Sequence, residues 1–206
     1  ISGTGKSRIV REMAKACWKE GDEEYGNNHP RNLCMVQVKP NWHDSSELIG
    51  YVSRIDGVRY VVGPFLRFMV KAIKDPNTPY FLCLDEMNLA PVEEYFADFL
   101  SVIESRKRCT DGRVVTDAIV PASVFNDSYY AEDFNICIKL GLELTNSEWT
   151  ASEVNELPED EQARAFVRQD IVEELKREGL TIPSNVIIIG TVNMDDTTNS
   201  FSRKVI

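Results

Sequence analysis

Apolar positions at Ile9, Val10, Met13, Ala14 and Cys17 repeat at helical spacing near the start of the chain, and Gly21 stands where such a helix would be capped. Residues 21–32 are polar and carry Gly, Asn and Pro, which predicts a loop. The run 33–38 is short and mainly apolar, with Pro40 just beyond it, the pattern of a strand buried on both faces of a parallel sheet. Ser45 and Ser46 then mark a helix start with Leu48 and Ile49 on its apolar side. Two β-prone runs, 51–55 and 58–62, flank Asp56-Gly57, and both turn residues tolerate the positive φ of a two-residue hairpin.

Gly63-Pro64 opens a helix with Phe65, Phe68, Met69 and Ile73 on one face, and Asp75-Pro76-Asn77 ends it. A second buried-strand run, 80–84, leads into Asp85-Glu86. Pro91 marks another helix start, with a stripe of Val92, Phe96, Phe99, Leu100 and Ile103. The stretch 107–157 is weakly patterned, apart from a hairpin signal at Thr110-Asp111-Gly112. From Pro158, the acids Glu159, Asp160 and Glu161 suit the positive end of a helix dipole. Ala163, Phe166, Val167, Ile171 and Leu175 supply the apolar face of that helix up to Gly179. Run 186–190 is the third buried strand. Strands alternating with helices and ending in polar clusters predict an α/β fold around a parallel sheet, with no internal repeat.

Composition narrows the function classes. Of 206 residues, 43% are hydrophobic and 27% charged, as in ordinary globular domains. No apolar run approaches the roughly 20 residues of a membrane-spanning helix, so no membrane partner is expected. Lys and Arg total 23 against 33 Asp and Glu, a net charge of -10, which does not suit a grip on a nucleic-acid backbone. Contact with DNA would need other domains or subunits. The five cysteines show no CxxC and no ligand spacing with His29 or His43. They read as buried thiols of a reducing compartment, hence a cytoplasmic location, rather than a zinc site.

Three sequence elements carry chemistry. Gly3-Thr4-Gly5-Lys6-Ser7, at the mouth of the first helix, is the end of the pattern G-x-x-x-x-G-K-[ST], whose first Gly would precede Ile1. Glycines let backbone N–H groups curl around phosphates, Lys6 would reach the β- and γ-phosphates, and the Ser7 hydroxyl would ligate Mg²⁺. A Gly-rich turn before a helix is the alternative. The second element is Asp85-Glu86 at the C-terminal end of a core strand, where ligands of open α/β sheets bind. Asp85 would hold the water shell of the metal and Glu86 would activate water as a general base. Two solvated acids ending a strand would be the bland reading. Asn193, just past the third strand, could lie between the acids and the γ-phosphate, or close the strand as an Asx-turn.

Gly3-Thr4-Gly5-Lys6-Ser7, Leu84-Asp85-Glu86-Met87-Asn88-Leu89-Ala90 and Gly190-Thr191-Val192-Asn193-Met194-Asp195-Asp196 together resemble the Walker A, Walker B and sensor-1 motifs of AAA+ ATPases. Within that superfamily the chain is similar to the McrB-like group, the NTPase motors of 5-methylcytosine restriction systems, close to the dynein-related AAA group. The Asp-Glu-x-Asn-x-Ala form and the hairpin at Asp56-Gly57, which matches the helix-2 insert, carry this likeness. It implies a P-loop NTPase fold, a three-layer αβα sandwich whose strands are ordered 5-1-4-3-2. Runs 33–38, 80–84 and 186–190 would then be strands 2, 3 and 4. Residues 1–206 would form a partial domain lacking strand 1, strand 5 and the helical lid, with 51–62 as the insert hairpin and 107–157 as an insertion of unclear structure. Such a piece, alone, is expected to be poorly soluble because strand 4 is left as a raw edge.

The resemblance also implies that Gly3, Thr4, Gly5, Lys6, Ser7 and Arg8 bind the nucleotide, ATP or GTP. Ser7 and Asp85 would hold Mg²⁺, and Glu86, Asn193 and Lys6 would carry catalysis. It further implies a homo-oligomeric ring and a McrC-like nuclease partner. Thr197-Thr198 departs from the Arg-Ser of the group at sensor 1, and Arg203 is a candidate toward the arginine-finger helix. Tyr51 and Tyr60 of the hairpin are candidates for substrate contact, against simple cross-strand packing. The alternative function is a nucleotide-gated scaffold, or a protein-remodelling ATPase with no part in restriction.

Overall fold

The computed structural model describes residues 5–110, 112, 114–142 and 158–193. Its centre is a three-stranded parallel sheet in the order β1 (Leu33–Gln37), β4 (Tyr80–Asp85), β9 (Val186–Gly190). All three runs read as buried strands, and β4 lies between the other two, which is why Leu82, Cys83 and Leu84 are fully buried. The chain is thus α/β with a parallel sheet, compatible with a P-loop NTPase fold.

Alternation along β4 divides the apolar contacts between two faces. Phe81 and Cys83 pack with Leu33, Met35 and Ile189 under Val10 and Ala14 of α1 (Lys6–Lys15). Leu82 and Leu84 face the larger core, which holds Phe65, Leu66 and Met69 of α3 (Pro64–Lys74) and the buried turn of α7 (Glu159–Glu178) at Ile171 and Leu175. Asn185, one residue before β9, sets the start of the ladder. Its Nδ2 lies 2.9–3.1 Å from the carbonyls of Ala72, Asp75 and Thr78, and its own carbonyl accepts the Tyr80 N–H at 2.8 Å.

Between β1 and β4 the chain forms α2 (Ser46–Ile49) and the hairpin β2 (Gly50–Ser53) with β3 (Arg59–Val62). The strands stop short of the runs the sequence suggested, so residues 54–58 form the connection rather than Asp56-Gly57 alone, with Asp56 at φ 57 and Gly57 at φ 97 at its bend. Tyr60 is buried, so it is a packing residue, whereas Tyr51 is 53% exposed opposite Val61. The stripe after Pro91 is two helices, α4 (Val92–Tyr95) and α5 (Ala97–Glu104), broken at Phe96, whose ring stacks on Phe99 with centroids 4.7 Å apart.

In the weakly patterned stretch, β5 (Lys107–Arg108) pairs with β6 (Val114–Val115) as the second hairpin signal implies, and α6 (Ile136–Lys139) buries Ile136 and Cys137. Two differences from the sequence expectations are local. The first helix stops at Lys15, before Gly21, and turns carry the chain onward. A pair the hydropathy pattern did not signal, β7 (Ala118–Val120) with β8 (Leu180–Thr181), forms because Gly179 takes φ 81 and lets the end of α7 approach the Val120 carbonyl, where a Cβ would sit at 2.4 Å. Among the described residues no helix is long and apolar enough to cross a membrane, and no three His, Cys, Asp or Glu side chains cluster as a metal site. The five cysteines are free.

Burial, with the Asp85 carboxylate adding to it, pushes the Cys83 thiol up from 9.0 to about 11. A raised folded value means the protonated thiol stabilises the fold below pH 9.0, and this contribution is lost as pH rises toward about 11. Denaturant unfolding of the parent and of Cys83→Ala should therefore differ by an amount that shrinks over that window. A difference independent of pH would contradict it.

Candidate active site

The site is built where β4 and β9 end. Asp85 closes β4, and its carbonyl accepts the Val38 N–H at 3.0 Å on the β1 side. On the β9 side the Thr191 N–H donates to the Leu84 carbonyl at 2.9 Å, in register with the ladder. A regular parallel ladder would next join the Glu86 N–H to the Thr191 carbonyl. Here the Thr191 hydroxyl accepts the Glu86 N–H at 2.9 Å, and the Thr191 carbonyl takes the following one, from Met87, at 2.8 Å.

Glu86 is thereby an extra residue in the corner. It sits at φ 55, ψ 46, in the left-handed region, at a cost of about 1–3 kcal/mol for a residue with a Cβ. Strict alternation would aim its side chain at the face of Leu82 and Leu84, away from Asp85. The left-handed turn removes that constraint, and Glu86 Oε1 accepts from Asn193 Nδ2 at 2.7 Å.

Helix α1 brings the ammonium of Lys6 and the hydroxyl of Ser7. Gly5 precedes it at φ 76, ψ 16, a conformation glycine adopts without a Cβ penalty. This ten-residue helix has no acidic residue of its own in the first turn, and the nearby carboxylate there is that of Asp85. Ser7 Oγ donates to Asp85 Oδ1 at 2.6 Å, and Thr191 Oγ1 donates to the same oxygen at 2.6 Å. The Lys6 ammonium donates to Asn193 Oδ1 at 2.8 Å and to the Val192 carbonyl. One amide, that of Asn193, therefore joins Lys6 to Glu86.

Asn193 is itself held by Asn88, which lies in the 3₁₀ turn Met87–Leu89 and is 1% exposed. Asn88 Nδ2 donates to the Asn193 carbonyl at 2.8 Å, and the Asn193 N–H donates to Asn88 Oδ1 at 3.3 Å. Tyr95 of α4 fixes the other side of the turn, its hydroxyl donating to the Met87 carbonyl at 2.8 Å. Burial, helped by the Glu93 carboxylate, pushes the Tyr95 phenol well above its ordinary value, so it stays a donor.

Of the residues singled out from sequence, Lys6, Ser7, Asp85, Glu86 and Asn193 thus form one connected group. Arg8 is exposed one position further along α1 and takes part in none of these bonds. Gly3, Thr4, Asp195, Asp196, Thr197, Thr198 and Arg203 lie outside the described residues. Two members of the group, Asn88 and Thr191, had no role assigned from sequence. The available signal was a polar residue placed between non-polar neighbours just past a strand end, which periodicity alone does not single out.

No protein-family description matches the chain. Among curated proteins it is similar to the Type IV methyl-directed restriction enzyme EcoKMcrB subunit of Escherichia coli (strain K12), 26% identical over 106 residues. The match covers 52% of this chain and 22% of that subunit, so the likeness suggests the McrB-like group and spans about a fifth of the relative.

Asn88→Ala leaves the Asn193 backbone groups without their side-chain partners. It should lower the unfolding free energy by about 1–3 kcal/mol in chemical denaturation. An unchanged midpoint would show that the double hydrogen bond contributes nothing.

Proposed function

We propose that this chain is the nucleotide-binding core of a McrB-like AAA+ motor that binds ATP or GTP with Mg²⁺ and hydrolyses it. The observation that carries the reading is the joining of Lys6, Ser7, Asp85, Glu86 and Asn193, from three distant parts of the chain, by hydrogen bonds of 2.6–2.8 Å. A lysine and a hydroxyl at a helix N-terminus, facing two acids at a strand end, suit a triphosphate tail.

Residues 3–8 would wrap the β- and γ-phosphates with backbone N–H groups, and Lys6 would leave Asn193 for the phosphate oxygens. Ser7 Oγ and Asp85 Oδ1 are hard oxygen donors already side by side, which fits Mg²⁺, an ion that takes one or two protein oxygens beside its phosphate and water ligands. The bound ion would offset charge on the phosphate oxygens.

Glu86 would accept a proton from water as the water oxygen bonds to the γ-phosphorus. The bond from that phosphorus to the β–γ bridging oxygen breaks, and the nucleoside diphosphate leaves with the electron pair. Asn193, hydrogen-bonded to Glu86, would orient the water between base and γ-phosphate.

The same reading makes the sheet part of a larger αβα AAA+ domain, continued by a further strand along the edge of β9 that no described strand pairs with. It also proposes a cytoplasmic homo-oligomeric ring with a McrC-like nuclease partner, reaching DNA through other domains or subunits. The acidic balance of the chain is compatible with a motor that does not itself grip DNA.

Phosphate release by the full-length protein tests the reading. Glu86→Gln should lower turnover by about 10² or more while keeping nucleotide affinity, and Lys6→Ala should lose affinity. Unchanged turnover in Glu86→Gln would remove that residue from the mechanism, whereas a parent that binds nucleotide and releases no phosphate would favour the scaffold alternative.

A further inference from the structure

We infer that Thr191 is a positioning residue that sets both acids at once, the metal-side carboxylate of Asp85 and the water-side carboxylate of Glu86. The inference rests on the triphosphatase reading above and adds a residue that reading does not use. Thr191 is 6% exposed, and each of its polar atoms is engaged at the corner where the acids stand. Its N–H donates to the Leu84 carbonyl at 2.9 Å and its carbonyl accepts from Met87 at 2.8 Å. Its hydroxyl donates to Asp85 Oδ1 at 2.6 Å and accepts from the Glu86 N–H at 2.9 Å.

The hydroxyl is the atom that makes room for the extra residue. Without it, the Glu86 N–H competes with the Met87 N–H for the one Thr191 carbonyl, and the regular ladder bond is the one that restores an extended Glu86. An extended Glu86 turns toward the face of Leu82 and Leu84, leaving Asn193 and the cleft. The same hydroxyl proton fixes Asp85 Oδ1 in the orientation in which Ser7 Oγ also meets it at 2.6 Å. One side chain therefore couples the geometry of metal binding to that of water activation.

Serine keeps the hydroxyl and valine keeps the shape, so the two variants separate hydrogen bonding from packing. In the full-length protein, Thr191→Val should lower kcat by about tenfold or more and raise the Mg²⁺ concentration for half-maximal turnover severalfold, with KM within about threefold of the parent. Thr191→Ser should restore both. A second readout needs neither metal nor nucleotide: hydrogen exchange at the Glu86 amide should quicken in Thr191→Val and stay slow in Thr191→Ser.

Parent-like turnover, Mg²⁺ requirement and exchange in Thr191→Val would overturn the inference, as would a serine variant as impaired as the valine one. If Thr191→Val does not fold, Thr191→Ala is read by the same three quantities. A parent protein that releases no phosphate overturns the triphosphatase reading itself, whereas an active parent with an indifferent valine variant overturns only the role of Thr191.

Discussion

The register between β4 and β9, and its loss by one residue at their ends, governs everything else at this site. The buried strand β4 and the half-exposed β9 run in parallel from Tyr80 opposite Val186 to Leu84 opposite Gly190, and each apolar side chain of β4 must face one of two apolar layers. A slip of one residue would turn Phe81 and Cys83 away from α1 and destroy both layers. That constraint brings Asp85 and Thr191 to the same level. The bond pattern then shifts, Glu86 enters a conformation costly for a non-glycine residue, and neighbouring carboxylates escape the alternation that would separate them. Strain of this kind persists only where surrounding bonds enforce it, and here Thr191, Asn88 and Tyr95 enforce it together.

A second consequence concerns charge. Two acids and one lysine meet in the corner, and protein groups satisfy them: Lys6 by Asn193 and the Val192 carbonyl, Asp85 by two hydroxyls, Glu86 by the Asn193 amide. An incoming phosphate tail would exchange these bonds for its own. Binding at such a site replaces satisfied contacts rather than filling bare ones, so affinity arises from the surplus of the new interactions over the old.

Much of this architecture was legible in the amino-acid order, for identifiable reasons. Continuous apolar runs such as Phe81-Leu82-Cys83-Leu84 arise only where both faces are covered, and Asp56-Gly57 permits few conformations besides a tight turn. Gly5 before α1, Lys6 opening it and the acids Asp85-Glu86 where β4 ends are the residues on which the proposed phosphate chemistry rests, because few other roles need them together. What pattern could not convey was pairing that depends on a close approach of distant backbone. The strands at Ala118–Val120 and Leu180–Thr181 meet through the bare Cα of Gly179, and Phe96 breaks a helix whose stripe reads as unbroken. Thr191 and Asn88 stand inside the motifs that carry the likeness, yet their roles were not legible for a related reason: those roles lie in which groups they satisfy, and these partners are 105 or 106 positions away in sequence.

Titration calorimetry of the full-length protein with Mg-ATP and with Mg-GTP bears most directly on the central claim that this corner holds a triphosphate. Saturable heat with at least one of the two, lost on chelation of Mg²⁺ or in Lys6→Ala, is the expected result. A folded protein that gives no heat with either nucleotide would contradict it.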